Sequence, residues 1–113
     1  MVVKKRYVPK RGDIVWIDLD PSRGHEQKGK RPAIVLSPEN YNRAAGLSLM
    51  CPITSHQKGY PFEIVLKVGT VSGVILTDQL RSLDWKERHA EKAGQASAAT
   101  ISEVLKKLQL LLA

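Results

Sequence analysis

The chain has 113 residues and a mass of 12.6 kDa, the size of a single domain, which leaves no room for a separate cofactor domain. With 42% hydrophobic and 26% charged residues, its composition is that of a folded globular protein. One cysteine, Cys51, excludes an internal disulfide. No apolar run approaches the roughly 20 residues of a membrane span, and the basic start lacks the apolar segment of a secretory signal. We therefore expect one domain over residues 1–113, in the cytoplasm and not in a membrane.

Positive charge is concentrated in the first third of the chain. Residues 1–31 carry nine basic and four acidic side chains, whereas residues 32–113 carry nine and seven. The whole chain has a net charge of +7 and a pI near 9.8. An excess of this kind favours a polyanionic partner such as nucleic acid.

The first third is predicted to hold an arm, a strand and a long loop. Residues 1–12 read as a basic, mobile arm that ends at Gly12. Residues 13–19 are rich in β-forming side chains and predict the first strand. The polar residues 20–32 follow as a loop of about a dozen residues, a length that is often functional.

A short helix and several strands are predicted next. Ser37 is expected to cap the helix, with proline at the first helical position, and Gly46 is expected to end it. The other apolar runs predict strands at residues 33–36, 47–53, 62–66, 73–80 and 89–96.

The last part of the chain predicts a longer helix. Thr100 and Glu103 have the spacing of a capping box, in which each side chain satisfies the other's backbone amide. Five apolar residues then recur at helical spacing: Ile101, Val104, Leu105, Leu108 and Leu112. Five or six short strands and this helix predict a mainly β fold with short helices, a small barrel or curled antiparallel sheet plus a C-terminal helix.

The sequence contains none of the common catalytic motifs. Its histidines and Cys51 lack metal-ligand spacing, and phosphate-binding glycine loops and a nucleophile elbow are missing. Cys51 lies in an apolar segment and reads as a small buried hydrophobe. We therefore expect no metal and no cofactor.

Three polar segments remain as candidates. Residues 24–32 hold donor and acceptor side chains between glycines, and Arg31 precedes the rigid Pro32. Thr54 and Ser55 end an apolar strand, and residues 77–79 interrupt another apolar run. On composition alone, each segment fits a surface loop or a turn as well as a site.

The order of seven short segments carries more information. They are DIVW at 13–16, GHEQ at 24–27, RPA at 31–33, IVLS at 34–37, CPIT at 51–54, KGYPFE at 58–63 and DQ at 78–79. Together they resemble a MazF/PemK-type toxin of a type II toxin–antitoxin module over residues 7–112. The resemblance implies an SH3-like barrel, a homodimer and metal-independent, sequence-specific cleavage of single-stranded RNA. It also implies inhibition by a cognate antitoxin whose acidic tail covers the RNA-binding groove.

The resemblance also implies site residues. It assigns the catalytic arginine to Arg31, the catalytic hydroxyl to Thr54 and the histidine of PemK-like members to His25. The acid of those members falls on Asp78, but their further arginine two residues earlier is replaced by Leu76. Asp78 therefore either takes part in catalysis or anchors its loop. The residues expected to contact RNA are Glu26, Gln27, Lys28, Lys30, Ser55, Asp78 and Gln79.

Without a metal, RNA can be cut by its own 2′-hydroxyl, which leaves a 2′,3′-cyclic phosphate and a 5′-hydroxyl. The reaction needs a base, an acid and a cation for the charge on the phosphate. Arg31 can supply the positive charge, because its forked guanidinium matches the geometry of phosphate oxygens. A guanidinium keeps its proton, so it is a poor acid or base. His25 is the better proton carrier, and Thr54 is a hydrogen-bond donor.

Two other functions fit the same fold. A structurally related group of toxins does not cut RNA but binds and poisons DNA gyrase, and fold alone does not separate the two activities. The second alternative is a nucleic-acid-binding barrel without activity. Arg31 and Thr54 at strand ends favour the nuclease.

Overall fold

The computed structural model describes residues 7–19 and 29–113, which form a curled antiparallel sheet with two helices. The strands are β1 (Asp13–Asp18), β2 (Lys30–Val35), β3 (Leu47–Thr54), β4 (Glu63–Val68), β5 (Val71–Leu76), β6 (Arg81–Asp84) and β7 (Glu91–Gln95). The helices are α1 (Glu39–Ala45) and α2 (Ala98–Leu112), and a 3₁₀ turn (Thr77–Gln79) joins β5 to β6. This confirms the mainly β fold with a C-terminal helix. No helix in the described ranges is long and apolar enough to cross a membrane.

Strand β3 takes part in two sections of the sheet. Most of it pairs with β2 and β6, and the register on β2 includes Ala33 opposite Pro52. Its last two residues pair with β5 instead, Ile53 opposite Ile75 and Thr54 opposite Val74. The strand order is β4-β5-β3-β2-β1-β7, with β6 also beside β3. This change of partner at the end of β3 curls the sheet.

The sheet has a hydrophobic cluster on each face. Because side chains alternate along a strand, β1 directs Ile14 to one cluster and Val15 and Ile17 to the other. The first cluster includes Val104 of α2 and Cys51, so the prediction that Cys51 is a buried hydrophobe is confirmed. The second is covered by residues around β6, among them Trp85.

Ser37 does not cap α1, which corrects the sequence prediction. The N-cap residue is Pro38, without a side-chain cap bond, and the helix begins at Glu39. The buried Ser37 hydroxyl donates to Asn42 Oδ1 at 2.5 Å, so it faces the interior and not the first turn. Gly46 ends α1 with a φ of 73°, as predicted.

The start of α2 and the end of the strand predicted at residues 73–80 also differ from the sequence predictions. Ser97 is the N-cap, and its Oγ accepts a bond from the Thr100 amide at 3.1 Å. The capping box predicted at Thr100 is therefore wrong, because two alanines after Ser97 start the helix earlier.

The strand predicted at residues 73–80 ends at Leu76, where buried Thr77 turns the chain by donating its hydroxyl to the Phe62 carbonyl at 2.7 Å.

The predicted mobile arm is packed over its described part, residues 7–12. Tyr7 donates its hydroxyl to Asp13 Oδ2 at 2.5 Å, and burial together with this carboxylate raises the pKa of Tyr7 well above its ordinary value. The carbonyl of buried Pro9 accepts a bond from Asn42 Nδ2 at 2.8 Å. A free arm is therefore wrong for these residues, and residues 1–6 lie outside the described ranges.

Asn42 connects three parts of the fold. Its amide nitrogen donates to the carbonyls of Pro9 and Ser37, and its backbone carbonyl accepts a bond from Trp85 Nε1 at 2.9 Å. The side chain is fully buried. Because buried polar groups are costly when they lose their partners, these bonds hold the 7–12 segment and α1 in place.

We expect Asn42→Ala to lower the free energy of unfolding by about 2–4 kcal/mol, because it leaves two buried carbonyls without a donor. The matched control is Asn40→Ala in the same helix, where the exposed side chain accepts a bond from the neighbouring Tyr41 amide. The control should change stability by less than about 0.5 kcal/mol. Urea unfolding measures the free energy of unfolding of both variants. Equal values for the two would contradict the role of Asn42.

Candidate functional site

Arg31 and Thr54 lie near neighbouring ends of β2 and β3. The last recorded pair between β2 and β3 is Ala33 opposite Pro52, and the same register extended by two residues sets Arg31 opposite Thr54. Because side chains repeat faces every two residues, both project from the face that carries Ala33 and Pro52. Arg31 is exposed, and no carboxylate of residues 7–19 or 29–113 forms an ion pair with it.

The hydroxyl of Thr54 has one proton that remains available to an external group. Its Oγ1 accepts a bond from the backbone amide of His56 at 3.1 Å. A hydroxyl has a donor proton beside its lone pairs, so this bond orients the oxygen without using its proton. Ser55 follows and is exposed. Thr54 can therefore donate a hydrogen bond to an anion that Arg31 also contacts.

Gly73 allows β5 to approach the end of β3. A Cβ atom on Gly73 would overlap the carbonyl oxygen of Thr54 and lie 2.8 Å from its carbonyl carbon. These are backbone atoms, which cannot rotate away as a flexible side chain can. The missing side chain at Gly73 therefore sets the position of Thr54.

The KGYPFE segment is held by its own glutamate. The carboxylate of Glu63 accepts bonds from the amides of Lys58 and Gly59, at 3.0 and 2.8 Å. Gly59 has a φ of 85°, which glycine adopts without strain. The Phe62 carbonyl accepts both the amide and the hydroxyl of Thr77, which fixes the segment to the 3₁₀ turn. The sequence predicts a turn at residues 58–61, but it does not reveal that the Glu63 carboxylate and Thr77 hold this segment.

The charge of Asp78 acts on two neighbouring groups, the Tyr60 hydroxyl and the Cys51 thiol. Desolvation, the charges of Asp78 and Glu63, and a hydrogen bond to Asp78 raise the pKa of Tyr60. Burial, with the charge of Asp78, raises the pKa of Cys51 to about 12. Cys51 Sγ lies 3.9 Å from the Thr77 carbonyl. Since Cys51 is three residues before Thr54 on β3, the 3₁₀ turn lies roughly 10 Å along that strand from Thr54.

The other predicted site residues have different positions. The Lys30 ammonium donates to the His89 carbonyl at 2.7 Å and lies 3.5 Å from Glu91 Oε2. Strand alternation directs it away from the face of Arg31. Gln79 is exposed at the end of the 3₁₀ turn. The remaining predictions fall outside the described residues: His25, Glu26, Gln27 and Lys28.

The described ranges hold no group of three or more His, Cys, Asp or Glu side chains close enough to bind a metal ion. The groups that the extended β2–β3 register sets opposite each other are instead a guanidinium and a hydroxyl, from Arg31 and Thr54. A guanidinium and a hydroxyl donor side by side suit a phosphate, because both donate hydrogen bonds to its oxygens.

Comparisons with known proteins agree on one family. A family model for the "PemK-like, MazF-like toxin of type II toxin-antitoxin system" matches residues 10–112. The endoribonuclease toxin MazF of Escherichia coli K12 is 45% identical over 107 residues, which cover 95% of this chain and 96% of that protein.

Solved structures agree with this family. A crystal structure of MazF from Deinococcus radiodurans has a TM-score of 0.85 and 52% identity, covering 95% of this chain and 98% of that one. A MazE–MazF crystal structure from the same organism has a TM-score of 0.83 and 48% identity, with 95% and 98% coverage.

We expect Gly73→Ala to lower the free energy of unfolding by about 1–3 kcal/mol, because the added methyl group must displace the backbone at Thr54. Ser72→Ala is the control, since Ser72 is the exposed neighbour in the same strand. It should be nearly neutral. Chemical denaturation compares the two, and a Gly73 variant as stable as the control would contradict the close approach.

Proposed function

The chain belongs to the PemK-like, MazF-like toxins of type II toxin–antitoxin systems, and from this we propose that it is a sequence-specific, metal-independent endoribonuclease that cleaves single-stranded RNA. The observation that carries the proposal is the register of β2 on β3, which, continued two residues beyond Ala33 opposite Pro52, sets Arg31 opposite Thr54. The relatives named as endoribonuclease toxins support the same activity.

The proposed reaction uses the 2′-hydroxyl of the RNA as its nucleophile. The 2′-oxygen bonds to phosphorus and loses its proton, while the bond from phosphorus to the 5′-oxygen breaks and that oxygen gains a proton. The products are a 2′,3′-cyclic phosphate and a 5′-hydroxyl. Negative charge grows on the phosphate oxygens in the transition state, and fixed donors that face this charge accelerate the step.

Arg31 supplies the positive charge for this step. Its guanidinium keeps its proton and can donate two parallel bonds to the phosphate oxygens. Thr54 adds a neutral donor whose oxygen is already oriented by the His56 amide. His25 is proposed to make one of the two proton transfers, as base for the 2′-hydroxyl or as acid for the 5′-oxygen, and water makes the other. An imidazole suits this role because, unlike a guanidinium, it exchanges protons near neutral pH.

Asp78 is proposed to contact RNA bases rather than the reacting phosphate. Its association with Tyr60, and the distance of roughly 10 Å along β3 between its turn and Thr54, favour this role. A carboxylate accepts bonds from the amino groups of unpaired bases, and single-stranded RNA exposes these edges. The other residues proposed to contact RNA are Glu26, Gln27, Lys28, Ser55 and Gln79. Lys30 is not proposed to contact RNA, because its ammonium donates to the His89 carbonyl on the face opposite Arg31.

The proposed partners are an antitoxin and a second copy of the chain. The MazE–MazF complexes of Deinococcus radiodurans support a toxin that is neutralised by a protein partner. The net charge of +7 favours an acidic antitoxin tail that competes with RNA for the same surface. We propose that the chain forms a homodimer and is located in the cytoplasm, as its resemblance to MazF/PemK toxins implies.

We expect Arg31→Ala to lower kcat for cleavage of an RNA oligonucleotide by about 10²–10³, because it removes the charge that stabilises the transition state. Arg43→Ala is the matched control, since this arginine is exposed and, within residues 7–19 and 29–113, its ion pair is with Glu39 on α1. Its kcat should be unchanged, and the wild-type rate should not fall when EDTA is added. End analysis should find 5′-hydroxyl groups on the fragments.

Three outcomes would overturn the proposal. Near-native cleavage by the Arg31 variant would remove this residue from the mechanism. Activity that is lost in EDTA and restored by added magnesium would require a metal ion. No cleavage of any mixed RNA substrate would favour the non-catalytic toxins that bind gyrase.

A further inference from the structure

The turn between β6 and β7 is rigid and anchored in the core. Asp84 Oδ1 accepts bonds from the amides of Lys86 and Glu87, at 3.2 and 3.0 Å, as the N-cap of a helix does. Trp85 is 5% exposed and donates its indole N–H to the Asn42 carbonyl. This turn therefore has a fixed position relative to the sheet.

The turn closes in the manner of a helix C-terminus. The Ala90 amide donates to the Trp85 carbonyl at 3.0 Å, and the His89 amide donates to the Lys86 carbonyl at 3.1 Å. His89 has a φ of 55°, the left-handed conformation that this Schellman-type pattern requires. The result directs Arg88 and His89 towards the ends of β1 and β2.

Arg88 holds the end of β1. Its Nη1 donates to the carbonyls of Asp18 and Leu19, at 2.9 and 2.7 Å. The Arg88 carbonyl in turn accepts a bond from the Asp18 amide at 3.0 Å. Bonds from a charged donor are stronger than neutral ones, and Arg88 is half-buried, so water competes weakly for these carbonyls.

The same turn holds the start of β2. The Lys30 ammonium donates to the His89 carbonyl at 2.7 Å and lies 3.5 Å from Glu91. His89 Nδ1 lies 3.2 Å from Asp18 Oδ2. Asp18 pairs with Lys30 across the two strands. One rigid turn thus contacts both strand ends that flank residues 19–29.

Arg31 is next to both of the strand ends that the turn holds, the end of β1 and the start of β2. It follows Lys30 in β2, and it pairs across the sheet with Ile17, the residue before Asp18. A shift of either strand end would therefore move the guanidinium relative to Thr54. A displacement of about 1 Å in such a group can cost on the order of 10² in rate.

We propose that Arg88 is a positioning residue for Arg31, with Lys30 as its counterpart on β2; this rests on the proposed function of Arg31 as a catalytic residue. The contacts that assign this role to Arg88 are its bonds to the backbone carbonyls of Asp18 and Leu19. It acts by fixing the ends of β1 and β2 to the turn at residues 84–90, while Arg31 projects from the opposite face to Lys30 and meets the phosphate.

The test compares Arg88→Ala, Arg88→Lys and Lys30→Met with Lys86→Ala. Lys86 is the control because it lies in the same turn, and its exposed ammonium lies over the Trp85 ring, 5.6 Å from the ring centroid. Two quantities are measured for each variant: kcat and KM for RNA cleavage, and amide hydrogen exchange at Arg31 without RNA. Exchange at Val104 in α2 reports on the fold as a whole.

For Arg88→Ala we expect kcat to fall by about 10–100-fold with KM changed by less than about threefold, because orientation is lost more than binding. The Arg31 amide should exchange at least about tenfold faster, with Val104 unaffected. Lys30→Met should also speed exchange at Arg31. Arg88→Lys should retain most of the rate, since an ammonium can still donate to both carbonyls. Lys86→Ala should match the wild type.

Exchange at Arg31 equal to that of the Lys86 variant would overturn the proposal, as would a uniform rise in exchange that includes Val104. If the wild type does not cleave RNA but Arg88→Ala still speeds exchange at Arg31 alone, the proposed function fails and the positioning of this strand end stands. The two claims are therefore tested separately.

Discussion

The close contact between Gly73 and the Thr54 carbonyl is the constraint on which the site depends. It lets β5 pair with the last two residues of β3, while the rest of β3 stays paired with β2 and β6. The sheet curls as a result, and Thr54 lies at the open end of β2, on the same face as Arg31. A side chain at Gly73 would remove this arrangement by moving the backbone that carries the hydroxyl.

The candidate site residues fall into two regions of the fold. Arg31 and Thr54 are set by strand ends, and the turn at residues 84–90 holds the strands from which Arg31 projects. Asp78 belongs to the 3₁₀ turn near Cys51, and Tyr60 belongs to the segment at residues 58–63. Bonds of Glu63 and Thr77 hold this segment and the turn together. This separation is the basis for the proposal that the first region meets the phosphate and the second contacts bases.

The sequence predicted the fold class, Gly46 as the end of α1 and the burial of Cys51, because these depend on local pattern and composition. It misplaced the caps at Ser37 and Thr100, since the preference of a serine or threonine for a cap does not reveal whether its hydroxyl faces the core. Arg31 and Thr54 came from the resemblance, and their shared face could follow only from strand register. Arg88 was missed because its partners are backbone carbonyls about 70 residues earlier, a pairing without a sequence signal.

The most direct measurement replaces one ribose, 5′ to the scissile phosphate, with deoxyribose in an otherwise all-RNA substrate. If the 2′-hydroxyl is the nucleophile, cleavage at that position must stop, while the oligonucleotide still binds through its phosphates and bases and competes with the normal substrate. Cleavage that continues at the deoxyribose would show that water or another group attacks the phosphate, and it would contradict the mechanism assigned to Arg31 and Thr54.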